Sequence, residues 1–160
     1  MRVGLISDTH GLLRPEALDA LRGCDHLLHA DDVGDPAVLT ELARLAPLHA
    51  VRGNVDRWPG AEALPEHLDL ELGGVRVHLL HDRAALPSGT VADVVVCGHS
   101  HRPGVQRVDG RLVVNPGSAG PRRFSLPVSV GLLDLHGGAP EARWLPLEVP
   151  PARVRRRSGR

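Results

Sequence analysis

The chain contains no lysine. All 19 basic residues are arginine, set against 19 acidic ones, so the formal net charge is zero. A balanced charge excludes global attraction to a polyanion, and nucleic acid is not indicated as a partner. The arginine-only usage, alongside abundant alanine, glycine and proline, reads as the imprint of a GC-rich genome rather than a recognition surface. Cysteine is also scarce: Cys24 and Cys97 are too few for a disulfide framework, which fits a reducing cytosol. Cys97 lies in an apolar strand and is expected to be a small buried side chain. No stretch approaches the roughly 18 apolar residues of a membrane span, and no charged-then-apolar leader marks a signal peptide. The expectation is a soluble, cytoplasmic protein with no membrane partner.

What is present suits one domain with a real core, residues 1–149 of the 160. Residues 150–160, with Arg153, Arg155, Arg156, Arg157 and Arg160, read as a disordered Arg-rich tail. In the first half, strands are expected at Arg2–Ser7, His26–His29 and Leu48–Arg52. Pro15 opens a helix to about Arg22. Asp35-Pro36 caps a second helix running to about Ala46, where Pro47 stops it. Such a β-α-β-α-β opening argues for parallel strands with crossover helices.

The second half is richer in strands. His67–Leu72 and Val75–Leu80 flank Gly73-Gly74, and Val105–Val108 and Arg111–Val114 flank Asp109-Gly110, both hairpin signals. Val91–Cys97 is a buried strand, and Val128–Leu135 and Ala142–Leu147 complete a set of roughly ten strands with two or three helices. That mix suggests two packed sheets with helices outside. An edge strand such as Ala142–Leu147 leaves open a homo-oligomer that pairs along it.

Five of these strands end in side chains that can bind metal: Asp8 and His10; Asp31 and Asp32; Asn54 and Asp56; His81 and Asp82; His99 and His101. Asp and Asn are common turn residues, so one such end means little. Five ends converging at one crevice are hard to attribute to turn chemistry. Oxygen and imidazole donors without thiolate suit Mn²⁺, Fe²⁺, Zn²⁺, Co²⁺ or Ni²⁺. The donors outnumber what one ion takes, so two ions sharing a carboxylate are expected. Ions roughly 3.5–4 Å apart suit phosphoryl chemistry.

The ordered set Asp8-Thr-His10, Asp32, Gly53-Asn54, His81 and Gly98-His99-Ser100-His101 resembles the calcineurin-like metallophosphoesterase superfamily. The opening Ile6-Ser-Asp-Thr-His-Gly11 and the segment Asn115-Pro-Gly-Ser118 resemble its compact YfcE-type phosphodiesterase subgroup. The resemblance spans Met1 to about Leu147 and implies a four-layer α/β sandwich, two mixed β-sheets flanked by helices. It also implies that Asp8, His10 and His101 hold one ion, that Asn54, His81 and His99 hold a second, and that Asp32 bridges the two. Manganese is the expected metal. A metal-bridging hydroxide would attack a phosphodiester in line, with Asn54 orienting the phosphate. Asn54, His81 and Asp32 are thus the expected catalytic group.

Three positions depart from the family pattern. Val55 stands where many members carry a histidine proposed to protonate the leaving group. Asp31 and Asp82 stand at usual glycine positions, before the bridging Asp and after the fourth-motif His. Asp tolerates left-handed backbone better than most residues. The two carboxylates are expected to point out to solvent, but they could instead modulate the centre, repelling phosphate or adding ligands. A shifted register would make Asp31 the bridge.

Arg122 and Arg123 could clamp a phosphate or lie in a solvated loop. Asp56 could orient a ligand or cap a turn. His29 is expected as a hydrogen-bonded strand-end residue; His26, His49, His67, His78 and His136 as surface or edge residues; Trp58 as ordinary packing; and Ser118 as part of a turn, since no base is placed to activate it. The rival reading is a non-catalytic scaffold, as in a small eukaryotic retromer subunit of similar fold. The complete donor set favours the enzyme.

Overall fold

The computed structural model describes residues 1–150. The expected tail therefore lies outside the described residues, apart from Pro150. Strands β1 (Arg2–Ile6), β2 (His26–His29) and β3 (Leu48–Ala50) alternate with helices α1 (Pro15–Leu21) and α2 (Pro36–Ala43). Then follow β4 (His67–Leu72), β5 (Val75–Leu80), β6 (Val94–Cys97), β7 (Gly104–Val108), β8 (Arg111–Asn115), β9 (Ser129–Asp134) and β10 (Glu141–Pro146). They form two five-stranded mixed sheets, ordered β10-β9-β1-β2-β3 and β4-β5-β6-β8-β7. The central strands β1, β2 and β3 of one sheet are parallel, as are β5, β6 and β8 of the other. Antiparallel strands close the edges beside β1, β5 and β8.

The period-2 alternation of strand side chains divides the core. Val3 and Leu5 of β1 and Leu28 of β2 face Val77 and Leu79 of β5, Val94 and Val96 of β6, and Leu112 and Val114 of β8. Burying each such side chain contributes about 1.5–3 kcal/mol. The opposite face of the first sheet, with Ile6, Leu27, Val130 and Leu132, packs on Ala17 and Leu21 of α1 and Val38 and Leu42 of α2. The outer face of the second sheet buries Leu80, Val95, Cys97 and Val113 under Leu86 and Ala92. Because β6 is buried on both sides, its sequence is an unbroken apolar run. The layers are therefore helices, sheet, sheet, and a thin fourth layer. Over its strands that layer has a single 3₁₀ turn, Arg83–Ala85, and loop, with no α-helix among the described residues.

Local chemistry explains the element ends. Asp35 accepts a hydrogen bond from the Ala37 N–H at 2.8 Å, and Pro36 occupies the first helical position. Helix α2 stops at Ala43, short of the expected Ala46, in a tightened turn, because Pro47 disfavours helical backbone at Ala46. Strand β6 begins at Val94, not Val91, which is 67% exposed. Its ladder starts where Asp93 meets Arg76 near the start of β5, and by this register Val91 falls opposite the Gly73-Gly74 turn rather than the strand. Both hairpins turn through consecutive positive φ angles, at Gly73-Gly74 and Asp109-Gly110, as twist-matched two-residue turns require. One histidine expectation fails: His78 is buried, stacked on His67, with Nδ1 2.7 Å from Asp69 on the paired strand β4.

Candidate metal centre

The loops that follow β1, β2 and β3 meet those that follow β5 and β6. Backbone bonds seat them side by side: Asp8 N–H donates to Asp31 O, His10 N–H to Asp32 O, and Gly98 N–H to His81 O. The Asn115 side-chain amide donates to Gly98 O at 2.8 Å and to Ser100 Oγ at 3.1 Å, holding the His99–His101 turn.

Two donor sets result. In the first, His101 Nε2 lies 3.1 Å from Asp8 Oδ1 and 3.4 Å from His10 Nε2. Donor atoms about 2.1 Å from one ion at tetrahedral or octahedral angles sit roughly 3.0–3.4 Å apart; these two separations match that range, while His10 Nε2 stands wider, at 4.0 Å from Asp8 Oδ1. Ser7 Oγ lies 2.8 Å from both Asp8 Oδ2 and Gly117 O, which share its one proton, while Asp8 Oδ1 is buried and accepts no hydrogen bond among the described residues. In the second set, donor atoms of Asp32, His81 and His99 lie within 4.8 Å of one another. Asp32 stands between the sets: Oδ2 is 3.9 Å from His10 Nε2, and Oδ1 accepts from the Val55 N–H at 3.3 Å. Asn54 lines a cavity of about 300 Å³ together with His81 and Asp82.

The backbone is bent to make this arrangement. Asp8, His10, Asp32, His99 and His101 all have left-handed φ, between 41° and 66°, and only two other non-glycine residues among those described share that sign. Asp and His enter this region more readily than most residues, yet each costs about 1–3 kcal/mol, which the surrounding packing must offset. Gly53 is required beside the bend, because a side chain there would run into Asp32.

The two unusual aspartates part company. Asp82 caps the Arg83–Ala85 turn, accepting from the Ala84 N–H at 3.0 Å, and does not enter either donor set. Asp31 does not point to solvent: it is 0% exposed, and one carboxylate oxygen contacts His81 Nδ1. Its other oxygen occupies the space that a side chain at residue 98 would take, so Gly98 makes room for it. Donor oxygens of Asp8, Asp31 and Asp32 lie within 4.8 Å of one another. Burial pushes the Asp31 carboxyl up from its usual range, and the shared contact raises the His81 imidazole. Burial lowers His10, which favours the neutral ring that binds metal.

The remaining candidates fall into place around this centre. Arg122 and Arg123 are exposed and have no ion-pair partner among the described residues. Arg123 is near enough for its charge to lower His10. Ser118 is buried, its hydroxyl engaging the backbone oxygens of Asp8 and Pro121. Trp58 packs against the helix-side core. Thr9 Oγ1 lies 2.9 Å from both Val33 O and His29 Nε2. A hydroxyl has one proton, which goes to the carbonyl, so Nε2–H of His29 is the donor in the second contact. Asp56, open as ligand-orienting or turn-capping, is a clamp: Oδ1 accepts from Gly34 N–H at 2.8 Å, and Oδ2 from Gly53 N–H at 2.8 Å and Val33 N–H at 3.2 Å. Only its place three residues after Gly53 hinted at this. The support given by Ser7 and Thr9 left no signal in the residue pattern.

Stacked mixed sheets that pool carboxylates and imidazoles at a shared row of strand ends are the architecture of a metallohydrolase. The chain belongs to the calcineurin-like phosphoesterase superfamily, whose domain matches residues 1–138. It is thus a metal-dependent phosphoesterase. A probable metallophosphoesterase of Methanothermobacter thermautotrophicus is 36% identical over 169 residues, covering 96% of each chain. The structure of an archaeal phosphodiesterase is similar at 25% identity, with a TM-score of 0.75, over 91% of this chain and 100% of that one. Vps29 of Chaetomium thermophilum, 21% identical over 91% of this chain and 96% of its own, shares the fold with a TM-score of 0.74.

Proposed function

We propose that the chain hydrolyses phosphodiesters with two divalent transition-metal ions. Asp8, His10 and His101 hold one ion, Asn54, His81 and His99 hold the other, and Asp32 lies between them. The observation that carries this reading is the pair of compact oxygen-and-imidazole donor sets with the Asp32 carboxylate shared between them. The donors suit Mn²⁺ best, with Ni²⁺, Fe²⁺, Zn²⁺ and Co²⁺ as alternatives. Bound there, the ions supply Lewis acidity and lower the pKa of the attacking water. Ser7 links Asp8 to the Gly117 backbone, and the Val55 N–H holds the orientation of Asp32. Asn54 and Arg123 offer donors to the non-reacting phosphate oxygens. Val55 has no proton to give, so leaving groups that depart as anions are favoured.

The test is turnover of bis-p-nitrophenyl phosphate with Mn²⁺ or Ni²⁺. Metal-dependent hydrolysis is expected, and it should fall at least about 100-fold in Asp32→Ala and His99→Ala, as for loss of an electrostatic catalytic group. A protein that carries two ions per chain yet hydrolyses nothing with any of these metals overturns the reading in favour of a scaffold.

A further inference from the structure

Asp31 occupies a position where the superfamily pattern has glycine, and its buried carboxylate is the one acidic group at the centre that the proposed mechanism does not use. It is fully buried, one oxygen contacts His81 Nδ1, and the other has no hydrogen-bond partner among the described residues. A carboxylate there is possible only because Gly98, on the other sheet, presents no side chain. An imidazole that donates its Nδ1 proton to a carboxylate has its lone pair on Nε2, with the ring orientation fixed and its basicity raised. His81 is a member of the second donor set, with Asp32 and His99.

We infer that Asp31 is a positioning residue for the second ion: through its contact with Nδ1 it holds the His81 ring in the orientation and tautomer that binds metal. This inference rests on the two-ion reading above. It departs from the glycine pattern in making the His81 ligand depend on a carboxylate from the opposite sheet. The supporting group is a hydrogen-bond acceptor, so an amide oxygen should replace it.

The experiment measures metal affinity, not turnover. Metal-free wild type, Asp31→Gly and Asp31→Asn are titrated with Mn²⁺ by calorimetry, and metal retained after dialysis is counted by elemental analysis. Wild type is expected to bind two ions. Asp31→Gly should bind the weaker of the two about 10- to 100-fold less tightly, the usual cost of losing such a partner, while retaining the other. Asp31→Asn should come within about threefold of wild type, because the acceptor is kept. Co²⁺ in the second site should show an altered absorption spectrum in Asp31→Gly but not in Asp31→Asn.

Equal retention of both ions by Asp31→Gly beside a two-ion wild type overturns this inference alone. An Asp31→Asn variant as weak as Asp31→Gly also overturns it, since charge or direct ligation would then be the cause. A wild type that itself binds one ion or none overturns both this inference and the proposed function.

Discussion

His101 Nε2 lies 3.1 Å from Asp8 Oδ1, although β6, which delivers the histidine, and β1, which delivers the aspartate, belong to different sheets. The second donor set crosses in the same way, with Asp32 following β2 and His81 and His99 following β5 and β6. The centre therefore sits on the seam of the sandwich. A cation held there joins the sheets at that end, so ion binding and folding are linked.

Removing both divalent ions is thus expected to lower Tm by about 10–20 °C. Binding only to the folded state stabilises by about 2.7 kcal/mol per ion at 100 times Kd, and each kcal/mol moves Tm of a domain this size by about 2–4 °C. Thermal unfolding with chelator and then with Mn²⁺ restored checks this. A chelated protein that melts where the Mn²⁺-loaded one does would refute the link.

Asp56→Ala should destabilise the fold by about 2–4 kcal/mol, because three backbone N–H groups lose a charged acceptor. The loops that carry Asp32 and Asn54 are tied through this carboxylate, so the variant should also retain less metal. Urea unfolding and metal content after dialysis measure the two effects. Asp56→Asn, which keeps one acceptor, should fall between wild type and Asp56→Ala.

Burial pushes the His29 imidazole down to about 4. In the unfolded chain it titrates near 6.5, so between these values the unfolded state binds more protons than the folded one. Stability is then fully present above about 6.5 and is lost as pH falls toward 4. Between neutral pH and about pH 5, the loss from this group is about 2 kcal/mol. In chelated protein, the unfolding free energies from urea titration at the two pH values should differ by about 2 kcal/mol less in His29→Gln, which keeps a donor toward Thr9, than in wild type. An unchanged pH dependence in that variant would assign the acid lability to other groups.

Much of this architecture was legible in the residues. Strand-end positions, the two glycine-bearing hairpins and the Pro36 helix start are local, and backbone sterics and side-chain alternation decide them within a few residues. The grouping of Asp8 with His10 and His101, and of Asp32 with His81 and His99, could be anticipated for the same reason, since ligand chemistry belongs to the side chain. Less legible were contacts made by residues distant in the chain: the burial of His78 against Asp69, the clamp by Asp56 and the support of Asp8 by Ser7.

Asp31 marks the division most clearly. The sequence by itself determined that a second carboxylate would stand beside Asp32 at the end of β2, within reach of a metal site. Only the tertiary structure decided that it turns inward. That direction depends on whether the opposing sheet leaves room and offers a partner; Gly98 leaves the room and His81 Nδ1 is the partner. Both come from strands of the other sheet, so no pattern local to Asp31 could have shown it.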